Sequence, residues 1–184
     1  MDDSRAARRV PRAVESPLSR ALPAAARYVL RGGSEVLATA AGALGLPVSS
    51  AACRAQVAED RAVLWLGPDE RLLLGPEEAS GSIEKLLERE LAGTPHALVD
   101  VSHRQTALEV SGPYAAAALS VGCPLDLHPS AFPVGMCTRT VLNKAEIVLW
   151  RTGSERFHLE VWRSYADYVA RLLAQAASEL LPAD

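Results

Sequence analysis

The sequence predicts an α+β fold of two similar halves sharing one core, each running strand, helix, three strands, helix. Three observations predict it. Turn and cap signals punctuate the chain in the same order twice, the breaks between apolar segments are short enough for antiparallel hairpins, and neither half alone would bury much apolar surface. Even the hairpins correspond. Leu64-Trp65-Leu66-Gly67 precedes Glu70-Arg71-Leu72, and Leu149-Trp150-Arg151-Thr152-Gly153 precedes Arg156-Phe157-His158. The halves are expected over 26–95 and 96–184 as one domain, behind a mobile N-terminal tail over 1–25.

In the first half, 28–31 reads as a strand, Gly32-Gly33 as a turn, and Ser34 as the N-cap of a helix that stops near Gly45-Leu46-Pro47. Three strands are expected over 52–58, 61–66 and 71–74. A helix over 77–91 follows, because Ile83, Leu86, Leu87 and Leu91 recur on one face. Gly93 and Pro95 end it.

The second half opens with adjoining extended segments over 97–101 and 106–110. Ser111-Gly112-Pro113 starts a helix with Pro at a permitted first-turn position, and Gly122-Cys123-Pro124 closes it. The two prolines of 125–134 mark an ordered irregular loop, of a length often used for contacts. Strands over 138–143, 146–151 and 156–162 lead into a last helix from Ser164. There Ser164 and Asp167 form a capping-box variant, and Tyr165, Tyr168, Val169, Leu172, Leu173 and Ala176 make an apolar stripe.

Composition excludes several classes. The formal net charge is -3 with both signs interspersed, which argues against nucleic acid as a partner. No apolar run reaches the ~18 residues of a spanning helix, so no membrane is expected. Arg5, Arg8, Arg9 and Arg12 lie beside Asp2 and Asp3 with no apolar stretch after them, which reads as a polar tail and not a secretory signal. The scattered Cys53, Cys123 and Cys137 lack C-x-x-C pairing and read as small apolar residues in a reducing, cytoplasmic setting, with a Cys123 to Cys137 bridge as the alternative.

Chemistry-bearing motifs are scarce. No G-x-S-x-G elbow, G-x-G-x-x-G or phosphate-binding loop occurs, so no catalytic residue and no nucleotide site is assigned. His96, His103, His128 and His158 show no metal-ligand spacing, and no metal is expected. Asp100, Ser102, His103 and Arg104, in VDVSHRQ, form the densest polar cluster. They are candidates for a ligand or partner, with an ion pair or turn as the structural alternative. Arg139 suits bidentate carboxylate recognition or an internal ion pair. On the last strand Arg156, His158, Glu160 and Trp162 share a face expected to be solvated or at an interface, and Trp162 is the candidate contact residue.

The stretches GCPLDLHPSAFPVGMCTRT, KAEIVLWR and FHLEVWRSYADYV, and more thinly WLGPDERLLLG and LVDVSHRQTALEVSG, resemble the gamma subunit of heterotetrameric sarcosine oxidase over most of 61–173. That resemblance implies the fold of the folate-binding domain of aminomethyltransferases. It implies a non-catalytic role in assembly and stability of a complex that oxidises sarcosine to glycine and passes the one-carbon unit to tetrahydrofolate. Large (alpha) and medium (beta) partners would carry FAD, FMN, NAD and tetrahydrofolate, and this chain none. The alternative is a free-standing folate-binding or aminomethyl-transfer protein, with Asp100 and Arg104 meeting pteridine and glutamate.

Overall fold

The computed structural model describes residues 16–49 and 51–181. Among these residues ten strands form two antiparallel five-stranded sheets. The first half supplies β2 (Ala25–Gly32), α1 (Ser34–Ala43), β3 (Gln56–Ala58), β4 (Arg61–Gly67), β5 (Glu70–Pro76) and α2 (Ser80–Glu90). From the second come β7 (Gln105–Ser111), α3 (Ala115–Ser120), β8 (Cys137–Leu142), β9 (Ala145–Gly153), β10 (Arg156–Trp162) and α4 (Ala166–Leu180). Their strands run β3-β4-β5-β2 and β8-β9-β10-β7, the same order twice.

Each half lends its leading strand to the other sheet. β1 (Ser19–Ala21) precedes β2 but pairs with β7, while β6 (His96–Asp100) precedes β7 but pairs with β2. The expected tail therefore reaches too far, since Ser19, Arg20 and Ala21 sit opposite Val110, Glu109 and Leu108. The rest of that expectation, over 1–15, lies outside the described residues. Three residues are too few for alternation to register in a sequence.

Strand alternation builds four layers. Ala26, Tyr28 and Leu30 of β2 pack with Val63, Leu73, α1 and α2, and Phe157, Leu159 and Val161 of β10 pack with α3 and α4. The opposite faces meet in the middle, where Leu64, Leu66, Leu72, Cys137 and Val148 are buried together. This middle layer is the core the halves share. One margin is stitched shut, since Ala55 donates to the Gly135 carbonyl, Cys137 to that of Cys53, and Arg54 bridges Met136.

Local departures have local causes. The strand expected over 52–58 shortens to Gln56–Ala58, because the preceding residues make the cross-sheet bridge. Gly33 takes the N-cap and Ser34 is the first helical residue. Ser164 lies in a 3-10 turn over Arg163–Tyr165, so Tyr165 caps α4 without a side-chain hydrogen bond. β8 stops at Leu142, since Asn143 turns at φ 53°, a left-handed conformation Asn tolerates. All three cysteines are free thiols, and burial pushes that of Cys137 up to about 12.

The loop over 125–134 is fixed by one cation. Arg151, only 3% exposed, donates to the carbonyls of Leu127 and Phe132 at 3.0 and 2.9 Å and to those of Gly153 and Ser154, with its guanidinium over the Phe157 ring. Replacing Arg151 with Met strands these carbonyls. The R151M chain is expected to lose about 3 kcal/mol in urea unfolding, and protease should cut first within 125–134. A loop that stays resistant in a destabilised R151M chain would show that its order comes from Leu127 and Phe132 packing instead.

Candidate functional site

Polar residues concentrate where the two sheets face each other. Arg27 on β2 has a side chain 3% exposed and meets the fully buried Glu160 of β10, with Nε donating to Oε2 at 2.6 Å. The other carboxylate oxygen accepts from Nε2 of His158 at 2.8 Å, which assigns the proton to that nitrogen. The His158 ring packs near Trp150, centroids 5.6 Å apart. Of the face of Arg156, His158, Glu160 and Trp162, expected to be solvated or at an interface, Arg156 and Trp162 are exposed and His158 is half-buried, while Glu160 is internal. Sequence could not reveal that a second sheet would cover it.

A second ion pair lies toward the open margin. Glu70, at the start of β5, accepts from Arg139 of β8 at 2.7 Å and from Arg31 of β2 at 2.8 Å. Burial works to raise the Glu70 carboxyl, and the hydrogen bonds and charges of Arg139 and Arg31 outweigh it, leaving it below the usual carboxylate range. Arg139 is thus an internal ion-pair partner. Its Nε is buried without a hydrogen bond, with a Glu146 carboxylate oxygen 3.9 Å away.

Of the residues singled out in the sequence, three meet at one place. Arg104, Arg139 and Trp162 line a cleft of about 290 Å³ between the sheets, with Ala97 and Val99 of β6 at its mouth. The Arg104 guanidinium lies 4.9 Å over the Trp162 ring, which remains 39% exposed. Asp100 and His103 do not join them. Asp100 accepts from the Ser102 amide at 2.7 Å, and the Ser102 hydroxyl accepts from the Arg27 amide at 2.8 Å, so this part of the cluster builds the corner between β6 and β7. His103 is exposed, and its carbonyl accepts from Arg163 at 3.5 Å.

Arg31, Glu70 and Glu146, which also line the cleft, carried no signal of their own in the sequence. Larger cavities of about 630 and 590 Å³ lie elsewhere, one beside α1 near Trp65 and Arg71, the other between the start of α3 and 125–129. Among the described residues no cluster of His, Cys, Asp or Glu could hold a metal ion, and no helix is long and apolar enough to cross a membrane. The cleft presents cations and an aromatic face.

The family described as "Sarcosine oxidase, gamma subunit family" matches residues 31–179. This chain belongs to the sarcosine oxidase gamma subunit family. It is 39% identical to the sarcosine oxidase subunit gamma of Corynebacterium sp. (strain P-1) over 148 residues, which span 80% of this chain and 71% of that protein. A chain of the heterotetrameric sarcosine oxidase from Corynebacterium sp. U-96, solved with pyrrole 2-carboxylate, superposes with a TM-score of 0.83 at 31% identity, covering 90% of this chain and 86% of that one. Glycine cleavage system aminomethyltransferase T from Bartonella henselae gives 0.64 at 16% identity over 84% of this chain and 44% of that one, a likeness of fold alone. The gamma subunit family thus has the α+β fold of paired sheets expected from the sequence.

The Arg27–Glu160 pair is expected to make the stability of the fold depend on pH. Burial works to raise Glu160, but the His158 hydrogen bond and the Arg27 charge outweigh it and hold its carboxyl below the ordinary value of 4.5. A carboxyl lowered on folding stabilises the fold above that ordinary value and loses its contribution as pH falls through the folded one. Glu160→Gln leaves the Arg27 charge buried and is expected to cost about 3–5 kcal/mol near neutral pH, measured by denaturant unfolding. Below the carboxylate range the gap between wild type and E160Q should narrow. A pH-independent gap would mean that packing, not ionisation, sets the cost.

Proposed function

We propose that this chain is a non-catalytic gamma subunit serving assembly and stability of a heterotetrameric sarcosine oxidase. In this reading the complex demethylates sarcosine oxidatively to glycine and hands the one-carbon unit to tetrahydrofolate. Large (alpha) and medium (beta) subunits hold FAD, FMN, NAD and tetrahydrofolate, and the complex works in the cytoplasm. The observation that carries the proposal is the likeness, over nine-tenths of this chain, to a chain of a heterotetrameric sarcosine oxidase. The interior supports it. Arg27, Glu70, Arg139 and Glu160 are committed to holding the sheets together and so are occupied as structural groups. Arg104 and Trp162, exposed at the cleft, are left to meet a partner.

Purification of the tagged chain from its native host tests this reading. A yellow complex with one larger and one medium chain, oxidising sarcosine with release of peroxide, is the expected result. A colourless chain eluting alone and binding tetrahydrofolate would overturn it in favour of a free-standing folate protein.

A further inference from the structure

β6 is the most exposed strand among the described residues. His96, Ala97, Val99 and Asp100 are all exposed, with Val99 at 52%, and only Leu98 is half-buried. It ends its sheet, so among the described residues one of its two edges has no neighbouring strand. The ladder fixes which groups that edge presents. Val101 donates to the Arg27 carbonyl, and on the other side of β2 Gly32 donates to that of Asp69. Odd-numbered residues of β2 therefore bond β6 and even-numbered ones bond β5, given the registers Val29↔Val99 and Tyr28↔Leu73. The amides and carbonyls of Leu98 and Asp100 consequently point outward. An open edge of this kind is a template for another strand.

The cleft beside it says what that strand should carry. Ala97 and Val99 project from β6 into the cleft, so alternate side chains of an added strand would project into the same space. Three guanidinium groups line it, those of Arg31, Arg104 and Arg139, against the two carboxylates of Glu70 and Glu146. Arg31 and Arg139 share Glu70, whereas Arg104 has no ion-pair partner among the described residues and rests on Trp162. The cleft is one negative charge short.

We propose that the open edge of β6 receives an extended segment of a partner subunit, added as a further strand of the sheet, with an acidic side chain of that segment seated against Arg104 and the Trp162 face. The proposal rests on the subunit reading above. It deepens that reading by naming the surface and the chemistry of the segment that binds there. Backbone hydrogen bonds to Leu98 and Asp100 supply attachment, and the acidic side chain selects the register.

The purified complex and the free chain are compared by hydrogen–deuterium exchange. The Leu98 and Asp100 amides are expected to exchange at least about tenfold more slowly in the complex, because an edge amide gains protection when it is paired. Arg104→Glu should weaken association by about 10- to 100-fold through charge reversal at an interfacial carboxylate, and Arg104→Lys by much less. Lys85→Glu, the same change in charge on the exposed face of α2, is the control and should leave association unaltered. Thermal melting of the free R104E chain checks that it folds. An intact complex in which Leu98 and Asp100 exchange as fast as in the free chain overturns the proposal and leaves the subunit reading standing. Failure of any complex to form overturns both. Protection that appears in the free chain as it dimerises would reassign the edge to a second copy of this chain.

Discussion

The contact on which the structure depends is the buried pair of Arg27 and Glu160. Each sheet contributes one charge to an interior from which water is excluded, and neither charge is tolerable there without the other. The pair therefore fixes how the sheets are seated. Sliding one by two residues would part Arg27 from Glu160 and bury both unmatched. His158 and the backbone carbonyl of Ala25 take up further hydrogen-bonding capacity of the two side chains, so the cluster is satisfied from both sheets.

That constraint extends to the corner where the chain leaves β6 for β7. The Arg27 amide is held by Ser102, the Ser102 amide by Asp100, and the Val101 amide by the Arg27 carbonyl. The corner is thus built on the residue that makes the inter-sheet ion pair. This allows β6 to belong to one sheet and β7 to the other, and it places Arg104 and Trp162 at the margin with the Glu70 pair below them. The opposite margin needs no such device, since Arg54 and Met136 bridge it directly.

What was legible in the sequence follows the range of the forces involved. Helical stripes such as Ile83, Leu87 and Leu91, and breaks such as 67–70, are local signals, and the corresponding elements were placed correctly. Strand exchange is not local. Residues 97–101 read as a strand, but nothing in their alternation says that they pair with β2, and β1 is too short to read at all. The same limit applies to Glu160. A carboxylate alternating with apolar residues on a strand signifies a wet face unless a cation such as Arg27, 133 residues away, is known to cover it. Arg104 and Trp162 were legible as polar and aromatic residues at strand ends, and only the fold brings them together.

Two kinds of polar residue therefore coexist in this chain. Arg27, Glu70, Glu160 and Arg151 are enclosed and matched by their own neighbours, so they specify the fold. Among the described residues Arg104, by contrast, has an aromatic face but no carboxylate, and it stands beside a strand whose outward backbone groups lack a partner strand. A folded chain leaves such groups open at little cost while water solvates them, and they become strong only when a partner displaces that water. The matched charges between the sheets set how the sheets are seated, while among the described residues lining the cleft Arg104 is the cation left without a carboxylate.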